Sequence, residues 1–292
     1  MHISLSLAAF LIAAIATLLG AFAILRARTR WGLVARGDGR AIGGPALVAG
    51  VVLAVASTAR IDLHLIIGGI LIILVGTIDD LIDLSPWQKL IGQGAAAGIV
   101  AAGIASSPQA PIVPALMGVA TFVWIVLLTN AVNLIDGLDG LLIGTIAPAM
   151  VVLILISVAT GDLFTLILAS ACAGALLGFL PFNWAHARLL LGDTGSEFIG
   201  FFLAVLTVIS FVHRPHSSSI PIFFLIAAVP ISDTAFAIIR RLVHHRSIFA
   251  GDTGHIHHRL ARLIGERRSI ALLSSISILT SAAAFLVWHA GM

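Results

Sequence analysis

Charge is what this sequence has least of. Only 10% of its 292 residues are Asp, Glu, Lys or Arg, where a soluble domain carries about 25%. Hydrophobic residues make up 60% of the chain and the mean hydropathy is +1.13. A soluble fold of this size cannot hide that much apolar surface, so lipid must be the solvent. The net charge of +3 is therefore no signal for nucleic acid. Cysteine is nearly absent as well. Cys172 is the single one, which excludes an intrachain disulfide and reads as a small core residue. No tandem repeat or low-complexity tail breaks the chain. The N-terminus is apolar through Leu25 and basic only afterwards, at Arg26, Arg28 and Arg30. A signal peptide has the reverse order, so this segment reads as a retained first span.

A span needs about 20 apolar residues. Ten runs qualify, near 3–25, 42–59, 63–79, 90–106, 113–130, 141–160, 163–182, 197–213, 219–239 and 270–289. Gly161 and Asp162 supply the turn that divides 141–182. The expected fold is an all-α polytopic membrane protein with about ten transmembrane helices, forming one integral-membrane domain over 1–292. Alternate loops collect 14 of the basic residues; Arg60 and Arg214 lie in the opposite set. The basic set marks the cytoplasmic side, which puts both termini outside. Eleven of the 13 acidic residues share that face, leaving only Asp62 and Asp162 opposite. A mixed-charge site in the cytoplasmic loops is the implied consequence.

Four clusters carry the chemistry. The first is Asp79-Asp80-Leu81-Ile82-Asp83, at the inner end of the third span. If the helix continues, Asp79 and Asp83 share a face, and a divalent cation or cationic partner relieves their repulsion. A solvated helix end is the plainer reading. The second places Asn130, Asn133, Asp136 and Asp139 at every third position, with Gly137 and Gly140 between and after them. Amide and carboxylate oxygens in such a stripe suit Mg²⁺ and sugar or base hydroxyls; a membrane-flanking Asp-Gly turn is the alternative. The third, Gly192-Asp193-Thr194-Gly195-Ser196-Glu197, opens an apolar span. Its N-terminal amides, at Gly195 and Ser196 among others, favour phosphate, and Asp193 could hold a metal against it. An ordinary helix N-cap explains the same residues. The fourth is Gly254-His255-Ile256-His257-His258-Arg259 in the longest inner loop. Ile256, Leu260, Leu263 and Ile264 recur at helical spacing, with His255, His258, Arg259 and Arg262 opposite. The arginines favour an anion over zinc, and an interfacial basic helix is the third option.

In this order, on one membrane face, the four clusters resemble the polyprenyl-phosphate N-acetylhexosamine-1-phosphate transferases, the family that starts peptidoglycan lipid, teichoic acid, common-antigen and O-antigen synthesis. The resemblance runs from about Arg40 to Gly265 and extends to Pro86, Lys89 and Gln93, and to Pro230, Asp233, Thr234 and Arg240. It implies catalytic roles for Asp79, Asp80 and Asp136, the Asp79–Asp80 pair orienting or activating the lipid phosphate. Asn133 and Asp193 match the residues that hold Mg²⁺, with Mn²⁺ as a substitute. Lys89, Asn130, Asp139, Gly195, Ser196, His255, His257, His258 and Arg259 fall at substrate-binding positions. Two departures stand out. The first inner loop reads Arg40-Ala41-Ile42-Gly43-Gly44-Pro45, lacking the usual proline before the glycine pair. The basic motif is His-Ile-His-His in place of three consecutive histidines, which points to the O-antigen or common-antigen branch.

The implied reaction is transfer of N-acetylhexosamine-1-phosphate from a UDP-N-acetylamino sugar to undecaprenyl phosphate, at the bacterial plasma membrane, with UMP leaving. N-acetylglucosamine, N-acetylgalactosamine, N-acetylfucosamine and N-acetylquinovosamine are all compatible, and the oligomeric state, a homodimer included, is open. An aspartate-rich membrane prenyltransferase would share Asp79-Asp80-x-x-Asp83 but wants a second such motif. A phosphatidyl-alcohol transferase would follow Asp136-Gly137 with Ala-Arg. A transporter would set its ionisable groups near the bilayer midplane, whereas these clusters sit at span ends.

Overall fold

The computed structural model describes residues 2–31, 39–59, 62–107, 114–184, 186–212, 219–245, 247 and 254–291. Each of the ten apolar runs is helical. They are α1 (His2–Trp31), α2 (Gly44–Thr58), α3 (Leu63–Ile82), α4 (Pro86–Ala105), α5 (Pro114–Ile135), α6 (Leu141–Thr160), α7 (Leu163–Asn183), α8 (Gly192–Val212), the pair α9 (Ser219–Ile226) and α10 (Ala228–Val243), and, after the short α11 (Ile256–Ile264), α12 (Glu266–Ala290). Seven of these helices are by themselves long and apolar enough to cross a membrane. The others depart for physical reasons. α2 is short, with 15 residues. α4 carries Trp87, Gln88, Lys89 and Gln93 in its first turns. The expected span 219–239 is two helices bent by 85°. Pro230 lies in the first turn of α10, where its missing N–H costs nothing but cannot extend the ladder of α9.

Local chemistry sets the helix ends. Gly161 closes α6 with φ +73°, and the Asp162 carboxylate accepts the Thr165 N–H at 3.1 Å to open α7. Ser85 and Gln88 form a capping box at α4, with Pro86 in its first turn. Asp83 takes φ 60° and ends α3. It has therefore left the helix, and the shared Asp79–Asp83 face does not form.

α8 is the hub, packed against α2, α3, α5 and α7. α1 joins α7 where Gly174 and Gly178 let the backbones of Phe10 and Ala14 approach; a Cβ on either glycine would strike them. The bundle is inverted in the way lipid requires. Ile3, Leu7, Leu63, Ile70, Val119 and Leu279 face outward, where lipid replaces water around them. One short extended pair accompanies the helices. Ala41–Ile42 (β1) and Leu189–Leu190 (β2) form a two-residue parallel pair. With the Gly43 N–H donated to Leu190 O at 2.7 Å, it clamps the loop before α2 to the entry of α8.

Candidate active site

The C-terminal ends of α3 and α5 and the N-terminal ends of α4 and α8 meet at one end of the bundle, and α11 abuts the loop after α5 at Gly137. Lys89, in the first turn of α4, extends its ammonium among three carboxylates. It lies 2.5 Å from Asp79 Oδ2, 2.7 Å from Asp193 Oδ1 and 3.2 Å from Glu197 Oε1. Glu197 is fully buried. Its Oε1 also accepts from Gln93 Nε2 at 3.0 Å, and its Oε2 has no partner among the described residues. Asp79 Oδ1 accepts the Leu84 N–H at 2.6 Å, so both oxygens of Asp79 have donors. One ammonium cannot balance three carboxylates, and the cluster keeps a net demand for positive charge.

Asp80 points elsewhere. Its Oδ1 accepts the Asp193 N–H at 2.8 Å, and its Oδ2 accepts the Thr194 N–H at 3.0 Å and the Thr194 hydroxyl at 2.6 Å. Two of the N-terminal amides of α8, those of Asp193 and Thr194, are thus engaged by a carboxylate of α3. Gly192, at φ +69°, makes the fit: a Cβ there would lie 2.7 Å from Asp80 Oδ1. Gly195 is packed against Gly44 of α2 and Ser196 is buried, its hydroxyl donating to Gly192 O at 2.8 Å. These two residues build the entry of α8 and line no open surface.

The asparagine–aspartate stripe divides at the end of α5. Asn130 donates to Gln93 Oε1 at 2.6 Å and so braces α4. Asn133 Nδ2 donates to Asp193 Oδ1 at 2.6 Å and to Ser196 Oγ at 2.9 Å. Asp139 accepts from Arg40 at 2.7 Å and from the Ala187 N–H at 2.8 Å, tying three loops together. No side chain bonds the Asp136 carboxylate among the described residues. Its burial, with the charges of Asp193, Asp139 and Asp80, raises it well above the usual carboxylate range.

The histidine motif has its own anchor. Asp233 of α10 is buried, with Oδ2 2.6 Å from His255 Nδ1 and Oδ1 3.1 Å from both the N–H and Nδ1 of His257. His257 Nε2 is buried without a partner among the described residues. A Cβ built on Gly137 would meet that nitrogen at 2.6 Å and His258 Nε2 at 3.1 Å, so the motif abuts the Asp136–Asp139 loop. Burial and the neighbouring His257 and His255 lower His258 from the ordinary imidazole value. Arg259 is exposed, stacked 5.3 Å from the Phe236 ring centroid.

Asp79, Asp193 and Glu197 lie close enough to share a metal ion, but Lys89 already fills their centre. Asp193 Oδ2, the Asn133 amide oxygen and the Asp136 carboxylate have no hydrogen-bond donor among the described residues. The Asp136 and Asp193 carboxylates repel one another, and hard carboxylate and amide oxygens of this kind suit a hard divalent cation. Glu197, Gln93, Asp233 and Arg40 stand in or beside the motifs, but motif reading assigned them no role. Glu197 and Asp233 had a signal: each is a carboxylate within an apolar run, where an ionisable group is expensive and marks function.

Helices fit for lipid and a carboxylate–lysine–histidine site at one bundle end define a multi-pass membrane protein with a polar site at one end. Residues 63–211 match the family described as glycosyl transferase family 4. The chain is 34% identical over 250 residues to the Bacillus subtilis protein named "Probable undecaprenyl-phosphate N-acetylglucosaminyl 1-phosphate transferase", covering 82% of this chain and 70% of that one. It is 31% identical to the Mycobacterium tuberculosis "Decaprenyl-phosphate N-acetylglucosaminephosphotransferase" over 78% of this chain and 63% of the relative. The Thermotoga maritima "Undecaprenyl-phosphate alpha-N-acetylglucosaminyl 1-phosphate transferase" is 31% identical over 70% of this chain and 64% of its own. The match thus spans about two thirds of the length of these relatives. The chain belongs to this polyprenyl-phosphate N-acetylhexosamine-1-phosphate transferase family.

Proposed function

We propose that the protein transfers N-acetylhexosamine-1-phosphate from a UDP-sugar to undecaprenyl phosphate, starting a cell-surface polysaccharide. An oxygen of the lipid phosphate forms a bond to the β-phosphorus. The bond from that phosphorus to the bridging oxygen breaks, and UMP leaves with the electron pair. A lipid phosphate is largely ionised at neutral pH, its second pKa being about 6. No strong base is needed, and bringing two anions together is the main task.

The observation that carries this reading is the pairing of a cation-deficient carboxylate cluster with a histidine cluster at one bundle end. Asp193 and Asn133 would hold Mg²⁺, with Mn²⁺ as a substitute, which when bound neutralises diphosphate charge. Asp79 holds the Lys89 ammonium, whose charge faces the incoming phosphates. Asp80 keeps Asp193 at the mouth of α8 through its N–H. His255, His257, His258 and Arg259 offset the remaining negative charge, and Asp136 and Asp139 border the donor. UDP-N-acetylglucosamine is the first choice of donor, because the relatives' names carry that sugar. The His-Ile-His-His motif favours an O-antigen or common-antigen role. The basic-residue asymmetry favours a cytoplasmic site in the plasma membrane, with both termini outside.

Incubating purified enzyme with undecaprenyl phosphate, Mg²⁺ and a panel of UDP-sugars tests this. UMP release that needs lipid and metal together is expected. No UMP from any sugar would sink the proposal.

A further inference from the structure

His255 and His257 flank one isoleucine on the sequence and converge on one carboxylate in space. Asp233 carries both: Oδ2 on His255 Nδ1 at 2.6 Å, Oδ1 on His257 Nδ1 at 3.1 Å, and Oδ1 again on the His257 N–H at 3.1 Å. All three side chains are buried, Asp233 and His255 at 3% exposure and His257 at 0%. A carboxylate can only accept, so each Nδ1 in these bonds must bear the proton. The other ring nitrogen, Nε2, then lies on the edge away from Asp233. For His257 that nitrogen is buried and partnerless among the described residues, against Gly137 beside Asp136. An orphaned buried polar atom carries a desolvation cost, which a ligand on that edge would offset. A transition metal at the same three residues would need the two Nδ1 lone pairs that these bonds occupy.

We infer that Asp233 is a positioning residue: it holds both imidazoles by their Nδ1–H groups and so turns their Nε2 edges toward the donor's phosphates, to which Nε2 donates once it too is protonated. The inference rests on the proposed role of the histidine motif in binding the diphosphate. It also gives the bend between α9 and α10 a purpose. That bend starts the helix that carries Asp233 beneath α11, so a membrane helix and a surface helix share one buried anchor.

The test uses the full chain in lipid nanodiscs with ¹⁵N-labelled histidine, His255 and His257 being assigned by the loss of signals in His255→Gln and His257→Gln. Both rings are expected to carry a proton on Nδ1 in the unsubstituted protein. Asp233→Asn, whose amide can accept from only one of them cleanly, is expected to turn at least one ring to Nε2–H. Turnover should fall about 10- to 100-fold, as when the outer partner of a working imidazole is removed. The effect should sit in kcat, with KM for the UDP-sugar changed less than about threefold, and Asp233→Glu should recover part of it. A ring protonated at Nε2 alone in the unsubstituted protein overturns the inference, whether or not the variants fold. So does a folded Asp233→Asn with normal kcat. If no UDP-sugar releases UMP, the functional reading fails separately, and the tautomers still decide whether Asp233 sets the rings.

Discussion

In the cluster at α3, α4 and α8 one ammonium serves three carboxylates; in the cluster at α10 and α11 one carboxylate serves two imidazoles. Both stand at the same end of the bundle; the first is partly buried and joins α4 to the distant α8, and the second is buried and joins the consecutive α10 and α11. Their charge balance is opposite. The first is short of positive charge and suits a cation. The second has more basic groups than acidic ones, with Arg259 beside it, and suits an anion. A metal–diphosphate complex presents both signs, so the two clusters complement the two parts of one ligand.

The largest expected effect falls on the cation-seeking side. Asp193→Ala should lower turnover by about 10³-fold or more at every Mg²⁺ concentration, measured as UMP release across a metal titration; near-normal turnover would remove Asp193 from the metal site. Lys89→Met should destabilise the protein by about 3–5 kcal/mol by leaving three carboxylates unbalanced. Denaturant melts in detergent read this, and adding Glu197→Gln should restore part of it. If the double variant is no more stable than the single one, Glu197 is not part of the charge balance.

Asp80→Ala separates two roles. As the cap of α8 it should cost about 1–2 kcal/mol and slow turnover through a displaced Asp193. As a direct contact to lipid phosphate it would raise KM for the lipid with stability unchanged. The smallest effect belongs to Asp136→Asn, which should stabilise the protein by about 1 kcal/mol at pH 7 while reducing activity. The sign follows from burial and like charges raising Asp136 above its ordinary 3.8. Between 3.8 and the raised value the folded state binds the extra proton, so the unsubstituted protein loses stability as pH rises through that window. The variant's advantage should therefore vanish as pH falls; an advantage unchanged at low pH would contradict this.

The helices were legible because lipid permits few alternatives: long apolar runs must satisfy their own backbone. The bend before Pro230 and the end of α3 at Asp83 were not, since both depend on how the chain continues in space. In the candidate site the acidic motifs could be read, but not what each oxygen faces. Asp79 and Asp80 are neighbours in sequence, and a helix turns them about 100° apart, one to Lys89 and the other to the α8 amides. That split also weakens the prenyltransferase reading, because Asp80 is engaged and Asp83 lies outside the helix. Asn130 read as a substrate-binding position and Gln93 as a family match, but that Gln93 links Asn130 to the buried Glu197 shows only in space.

The most direct measurement follows the β-phosphorus. With UDP-N-acetylglucosamine labelled with ³²P at the β-position, undecaprenyl phosphate and Mg²⁺, the label should move into the lipid phase in step with UMP release, and Asp193→Ala should move none. Label that stays in the aqueous phase, or that reaches the lipid equally well in Asp193→Ala, would contradict the account.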